Sequence, residues 1–274
     1  MTMEIYRYIC YFFIYAFFGW CAEVCFAAFK HGTFVNRGFL NGPVCPIYGV
    51  GVCIVVLILS PLKHNFLLLF LGSVLLTSAL EWLTGFVLEK VFHQKWWDYS
   101  DMPFNLQGYI CPLFSILWGL ACLLIMDMVH PGIEKLVAWL PLKVGIPLVS
   151  VFGAVFLVDI ILTVMTMLKL NQKLRSIDEL SAAIKNVSDR IGKNLSDSML
   201  DIAEKSEPAR ERAGKRKAEL EVRLAEAKEK YTFGQKRILK AFPHFKSLRH
   251  EEALQMVKGH LAERKKKKKE HPKQ

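Results

Sequence analysis

The chain has 274 residues, of which 53% are hydrophobic, and its 36 Lys and Arg exceed its 25 Asp and Glu by 11. This average conceals two unlike parts: residues 1–168 hold 8 bases and 9 acids, and residues 169–274 hold 28 bases and 16 acids. Apolar runs of 18 or more residues recur in the first part and exclude an ordinary soluble protein.

Five apolar segments in residues 1–168 are each long enough to cross a hydrocarbon layer of ~30 Å. Their predicted bounds are about 5–29, 43–61, 66–89, 109–129 and 144–168. Turn-forming residues separate them, including His130-Pro131-Gly132 after the fourth segment. Prolines and glycines crowd the start of the second segment, which we therefore expect to be broken or re-entrant. The predicted fold is all-α: a polytopic membrane bundle of five transmembrane helices with a cytoplasmic helical tail.

The orientation follows from the bases that begin directly after the fifth segment. Basic sequence next to a membrane span is retained in the cytoplasm. Five crossings then place the N-terminus outside the cell membrane and the C-terminus in the cytoplasm. The loops at 30–42 and 90–108 are expected to face the cytoplasm.

An internal repeat is predicted when the chain is shifted by 66 residues. Residues 19–48 and 85–114 align without a gap, and seven of the 30 positions are identical, against roughly two expected by chance. Shared apolar composition explains the matched Phe and Leu, but less easily the matched Glu, Cys and Pro. The predicted bundle is thus two two-helix repeats, about 5–61 and 66–129, followed by a fifth span at 144–168.

Carboxylates inside the predicted spans are candidate site residues, because each ionised group costs about 2.5–3.5 kcal/mol on insertion scales. Glu23 and Glu89 occupy equivalent repeat positions, about one turn from their helix ends, where both could equally be interfacial. Glu81 lies deeper, on the same helix face as Glu89, with Trp82 beside it. Asp159 lies in the fifth span with Thr163 and Thr166 on its face, either as a functional group or as a helix-packing contact.

The predicted cytoplasmic loops supply further candidates. Arg37 could pair with Glu23 or Glu89, or simply anchor the orientation. Trp97, Asp98 and Asn105 belong to an aromatic and polar loop that could bind a headgroup or a solute. The alternative for such aromatic residues is an interfacial belt.

Several motifs together resemble the CmpB-like family, whose members are labelled type IV ABC-transporter permeases. The resemblance covers residues 5 to about 128. It is carried by Gly19-Trp20-x-x-Glu23, Arg37-Gly38-x-x-x-Gly42-Pro43-x-x-Pro46-Ile47-Tyr48-Gly49, Glu81-Trp82-x-x-Gly85 and Trp96-Trp97-Asp98-Tyr99-Ser100. The family implies substrate translocation coupled to an ATPase. Since this sequence has no Gly-x4-Gly-Lys-Ser/Thr phosphate-binding loop, that ATPase would be a separate chain.

The tail is divided at a Glu207-Pro208 helix breaker. Residues 169–207 are predicted to form a juxtamembrane coiled-coil helix, because apolar residues recur from Leu170 to Ile202 at coiled-coil spacing. This helix either forms a homodimer through residues 170–202 or packs on its own cytoplasmic loops. Residues 208–274 form a basic tail with a solvated helix at 209–230 and a basic, partly apolar stretch suited to anionic lipid. Nucleic acid is a less favoured partner.

Three functions remain open from the sequence. The first is a permease-like transport component that passes a small solute or lipid past Glu23, Arg37, Glu81 and Glu89, with membrane lipid around it. The second is a noncatalytic scaffold that anchors the basic tail, and the third is a membrane enzyme acting on lipid headgroups. No catalytic set, cofactor or metal site is predicted, because the histidines are scattered and no His lies at ligand spacing from Cys21 and Cys25.

Overall fold

The computed structural model describes residues 3–198 and 207–270. Helices account for 79% of the chain, which confirms the all-α fold class. The chain divides into two compact units: the first holds Met1–Thr166 and Arg237–Phe245, and the second holds Met167–Lys236 and Lys246–Gln274.

The apolar helices begin in the first unit. They are α1 (Met3–His31), α2 (Pro46–Leu59), α3 (Phe66–Phe92), α4 (Pro112–Leu124), α5 (His130–Trp139) and α6 (Leu142–Ser198). A 3-10 turn at Ser60–Leu62 follows α2, a two-residue strand, β1 (Gln94–Lys95), follows α3, and a π-helical turn at Ile125–Val129 joins α4 to α5.

Four helical segments are long and apolar enough to cross a membrane: Met3–Phe29, Phe66–Phe92, Pro112–Trp139 and Leu142–Ile191. The second predicted span is shorter, because α2 has 14 residues and reaches only from Pro46 to Leu62 with its 3-10 turn. At 1.5 Å per residue α2 is about 21 Å long, less than a hydrocarbon layer of ~30 Å. The described residues thus form four long apolar helices and one short one, instead of five helices that are each long enough to cross.

The chain enters α2 beside the middle of α1. The backbone amide of Cys45 donates to the carbonyl oxygen of Ala16 at 2.9 Å, so residues 32–45 run back along α1 before α2 begins. Pro46 then opens the helix at a position where its missing N–H is tolerated. This path agrees with the interrupted start expected from the prolines and glycines.

The two predicted repeats share this entry. α4 also begins with a Cys-Pro pair, Cys111-Pro112, 66 residues after Cys45-Pro46. Their helix ends differ, however. α1 continues from Glu23 to His31 and is followed by Gly32 (φ 65°), while α3 ends at Phe92, three residues after Glu89. Glu23 therefore lies about two turns from the end of its helix, and the predicted one-turn distance is right for Glu89 alone.

The predicted turn at His130-Pro131-Gly132 is wrong. The chain stays helical from Pro112 to Trp139, with the π-helical turn at Ile125–Val129 immediately before His130. Pro131 therefore lies inside a continuous helical segment, directly after the π-helical turn, which is a common site of irregular helix hydrogen bonding. At this point Tyr15 of α1 lies 3.0 Å from the Nδ1 atom of His130, and both side chains are buried.

The second unit is built on the polar half of α6, together with α7 (Glu207–Glu229), the first residues of α8 (Phe233–Ala241), the two-residue strand β2 (Lys246–Ser247) and α9 (Glu251–Glu270). Asp178 of α6 lies 2.9 Å from the Nδ1 atom of His250, and Ser181 contacts Met256 of α9. Exposed ion pairs such as Arg223–Glu219 line α7, as expected for a solvated helix.

The predicted coiled-coil seam begins with Leu170, Leu174 and Ile177, which are all completely buried within this one chain. The contacts of α6 with α9 show that the chain's own tail lies beside this part of the helix. A dimer through residues 170–202 stays a prediction. The predicted helix end before Pro208 falls in residues 199–206, which lie outside the described part of the chain.

We expect Gly49→Ala to destabilise the bundle by about 1–3 kcal/mol, the usual range for overpacking. A Cβ atom at Gly49 would lie 2.5 Å from the backbone carbonyl oxygen of Phe12, which a rotamer change cannot move. The free energy of unfolding in mixed micelles measures the effect. Gly153→Ala is the matched control, because nothing lies within 4 Å of the added atom, and equal stability of both variants would contradict this close approach.

Candidate functional site

Glu23 receives two partners from the chain that follows α1. The hydroxyl of Tyr48, in the first turn of α2, donates to Glu23 Oε1 at 2.8 Å. Arg37 lies on the other side, with its Nε atom 3.4 Å from Glu23 Oε2 as an ion pair. Of the two partners that the sequence left open for Arg37, the structure thus selects Glu23.

Glu81 is sheltered in a similar way by aromatic residues of the second helix pair. The hydroxyl of Tyr99 donates to Glu81 Oε1 at 3.3 Å, and the Tyr99 ring stacks on Phe114 at 4.7 Å between centroids. Burial and the nearby Glu81 raise the pKa of Tyr99, so its hydroxyl stays a donor. Glu81 Oε2 is buried and makes no hydrogen bond within the described residues, and the Trp118 indole lies beside the carboxyl group.

The two carboxylates belong to one group of side chains. The ring of Tyr48, which binds Glu23, packs edge-on against the ring of Trp118 at 5.6 Å, and Trp118 borders Glu81. We call this group the carboxylate cluster. Its members come from both helix pairs and their loops: Glu23, Arg37, Tyr48, Glu81, Tyr99 and Trp118.

Glu89 lies apart from this cluster, two turns along α3 from Glu81. Its Oε2 atom accepts from the hydroxyl of Tyr109 at 2.7 Å. Burial and the bond to Glu89 raise the pKa of Tyr109 to about 12. The hydroxyl therefore keeps its proton at physiological pH and donates a hydrogen bond to Glu89. Tyr109 and Trp97 pack against Gly85, where a Cβ atom would lie 2.8 Å from Tyr109, and so fill the space between the two glutamates.

The remaining predicted site residues shape the loop at 93–111. Asp98 accepts from the amide and hydroxyl of Ser100, and Asn105 donates to the carbonyls of Ser100 and Met102. The Trp97 indole donates to the Tyr109 carbonyl at 2.9 Å. Trp82 donates to Gln107 Oε1 at 3.2 Å. The structure therefore brings Glu23, Arg37 and Glu81 together, while these four residues and Glu89 lie outside the cluster.

Asp159 of α6 binds the loop between α1 and α2. Its oxygen atoms accept from the backbone amides of Asn41 at 3.1 Å and Gly42 at 2.7 Å, and from the Asn41 side-chain amide at 2.8 Å. Thr163 adds a weak donor at 3.3 Å, whereas Thr166 bonds back to its own helix. Asp159 is thus satisfied by four donors and fixes a loop to a helix.

Tyr48, Tyr99 and Trp118 were missed by reasoning from the sequence. Tyr48 and Tyr99 stood in the quoted motifs, but an aromatic residue in an apolar helix or an interfacial loop gives no sign that its polar atom meets a carboxylate. Within residues 3–198 and 207–270, no three His, Cys, Asp or Glu side chains are arranged to hold a metal ion. All seven cysteines are free.

Long apolar helices with sheltered carboxylates define a multi-pass helical membrane protein. A family model described as Putative ABC-transporter type IV matches residues 10–164, more than half of the chain. The chain belongs to this family, which confirms the resemblance of its motifs. No match was found among curated proteins or among solved structures.

We expect Tyr48→Phe to lower the free energy of unfolding by about 1.5–3 kcal/mol, the usual worth of a hydrogen bond to a charged group. The substitution removes the hydroxyl that donates to Glu23 and keeps the ring against Trp118. Unfolding in mixed micelles is the measurement. Tyr8→Phe is the control, because Tyr8 packs against a buried apolar cluster of the bundle without a hydrogen bond from its hydroxyl among the described residues, and an equal loss there would contradict the assignment.

Proposed function

We propose that this protein is the membrane-spanning component of an ABC-type transporter and that the carboxylate cluster binds its substrate. The substrate would be a small polar solute or a lipid headgroup that offers hydrogen-bond donors or positive charge. The observation that carries this proposal is Glu81 Oε2, a buried carboxyl oxygen that makes no hydrogen bond within the described residues. A ligand that donates to this atom would remove the cost of leaving it unpaired, about 1–3 kcal/mol or more for a charged group.

The position of the cluster supports transport over simple anchoring. A helix that only anchors a tail gains nothing from a glutamate, which insertion scales place at a cost of about 2.5–3.5 kcal/mol for comparable charges. Glu23 and Glu81 instead come from different helix pairs and meet across Tyr48 and Trp118. Two halves that contribute to one polar site can change its access by moving relative to each other.

The proposed topology has five crossings, with α2 as a short span that starts inside the bundle. The N-terminus lies outside the cell membrane and the C-terminus in the cytoplasm, because residues 169–274 carry 28 Lys and Arg. The loops at 32–45 and 93–111 then lie at the cytoplasmic end. From that side the cluster could be reached by a solute or by a headgroup of the inner leaflet.

The proposed partners follow from the family and the charge. A separate ATPase subunit would supply the energy, since this sequence lacks a phosphate-binding loop. Membrane lipid surrounds the bundle, and anionic lipid is proposed at the basic residues of the tail. Ile238, Leu239 and Phe245 are buried, so lipid contact there would rest on the bases rather than on these apolar side chains.

We expect Glu81→Gln, in cells that lack the native gene, to abolish the function of the complementing protein. The amide keeps the shape of the side chain but cannot ionise, and it replaces the carboxyl group that holds the unpaired oxygen. The measurement is the distribution of small molecules and lipids between cells and medium, or between leaflets, by mass spectrometry. Wild type should restore any distribution changed by the deletion, and Glu4→Gln, an exposed control, should restore it equally.

Two results would contradict the transport proposal. Restoration by the tail alone, tethered to an unrelated span, would show a scaffold. A deletion that changes the kinds of lipid present, rather than their distribution, would show an enzyme.

A further inference from the structure

A segment of the tail belongs to the first compact unit, although about 70 residues separate it from Thr166, where the preceding part of that unit ends. Residues Arg237–Phe245 are part of the first compact unit. Ala241 is buried with Ala27 and Val35 in a small apolar core, and the Phe242 ring contacts Trp96 at 4.8 Å between centroids. We call Arg237–Phe245 the docked segment.

Arg237 binds the loop between α1 and α2 through three separate donors. Its Nη1 and Nη2 atoms donate to the carbonyl oxygens of Gly38 and Phe39 at 2.8 Å each, and its Nε atom donates to Asn41 Oδ1 at 3.1 Å. Two of these acceptors are backbone atoms, so the contact depends on the backbone conformation of the loop. The planar guanidinium provides this geometry, and the single ammonium of a lysine cannot reproduce it.

Asp159 holds the same loop through other atoms. The carboxylate accepts from the amides of Asn41 and Gly42, while the oxygen of the Asn41 side chain accepts from Arg237. Asn41 is therefore a bridge between an acid of α6 and a base of the docked segment. The negative charge of Asp159 also partly offsets the burial that lowers the pKa of Arg237.

The loop that is held in this way carries Arg37. The Asn36 side chain donates to the Asn41 carbonyl at 2.9 Å and accepts from the Gly38 amide at 3.0 Å, which closes residues 36–41 into a compact turn. Asn36 also accepts from the Trp20 indole of α1 at 2.8 Å. A displacement at Asn41 would consequently be passed to Arg37 and its ion pair with Glu23.

We propose that Arg237 and Asp159 are positioning residues for the carboxylate cluster: they hold Asn41 and Gly42 between them and so fix Arg37 against Glu23. The importance of this arrangement for transport rests on the proposed function. The arrangement makes the docked segment part of the site, because its release would loosen the loop that carries Arg37.

The test uses the full chain in lipid nanodiscs and needs no substrate. Hydrogen exchange measures the backbone amides of Asn41 and Gly42, and the rate of modification by phenylglyoxal, read by peptide mass spectrometry, measures the exposure of Arg37. In Arg237→Ala we expect exchange at both amides to rise about tenfold or more. The modification of Arg37 should accelerate several-fold, while that of Arg7, an exposed residue of α1, stays unchanged.

Two further variants separate positioning from loss of charge. Arg237→Lys should behave like Arg237→Ala, because it keeps the charge but loses the three-donor geometry. Lys240→Ala removes an exposed charge from the same segment and should behave like wild type. If Arg237→Ala fails to fold, Asn41→Ala provides the same readouts. It removes the bridging side chain and keeps the other two acceptors of Arg237, the carbonyl oxygens of Gly38 and Phe39.

Three results would overturn the proposal. Unchanged exchange at Asn41 and Gly42 would show that the docked segment does not hold the loop. Faster exchange there with unchanged modification of Arg37 would show that the loop does not position the ion pair. Wild-type exchange and modification rates in Arg237→Lys would show that only the positive charge matters and not the three-donor geometry. None of these measurements involves transport, so they test the positioning role even if the transport proposal is wrong.

Discussion

A carboxylate within an apolar bundle must be given hydrogen-bond donors or an opposite charge, and this constraint accounts for the least regular parts of the structure. Glu23 lies well inside α1, where its own helix offers no free donor. The chain after α1 therefore runs back along the helix, bringing Arg37 to one carboxylate oxygen and Tyr48 to the other. The shortness of α2 is the consequence, because a chain that turns back beside Ala16 leaves less length for the following helix.

The second helix pair meets the same constraint with different residues. Tyr99 serves Glu81 and Tyr109 serves Glu89, yet under the 66-residue shift neither tyrosine corresponds to Tyr48. The close-packed glycines do correspond: Gly19 accommodates Tyr48, and Gly85 accommodates Tyr109. The halves thus share a scaffold of helix, returning loop and Cys-Pro start, while their polar side chains have diverged. Such divergence is expected if the two carboxylates differ in role: Glu23 pairs with Arg37, whereas Glu81 keeps one oxygen unpaired.

The sequence predicts the long helices well because a run of apolar residues has few alternatives in a membrane. It also identifies Glu23, Arg37 and Glu81 as candidates, because charges in such runs are costly and conspicuous. It does not predict which carboxylates meet. Glu23 and Glu89 align in the repeat, but Glu23 and Glu81 share the cluster, since the pairing depends on where the returning loops place Tyr48 and Tyr99. The π-helical turn before Pro131 was not predictable either, because His-Pro-Gly is typical of a turn and the contact of His130 with Tyr15 of α1 depends on the fold.

The basic tail shows a similar limit. The mixture of bases and apolar residues near Ile238 suits a lipid surface, and nothing in its composition reveals that Arg237 donates to backbone carbonyls about 200 positions earlier in the chain. Contacts of this kind depend on the fold, because a carbonyl oxygen carries no sequence signature. Asp159 was more accessible to reasoning, since an acid with Thr163 one turn later already indicated a polar contact.

The central claim is that Glu23 and Glu81 belong to one cluster, and a double-mutant cycle on the free energy of unfolding tests it most directly. Glu23→Gln and Glu81→Gln would be measured singly and together in mixed micelles, with Glu23→Gln and Glu89→Gln as the control cycle. The account predicts a coupling energy of about 1 kcal/mol or more for the first pair and additivity within about 0.5 kcal/mol for the second. Additive effects of Glu23→Gln and Glu81→Gln would contradict a shared site.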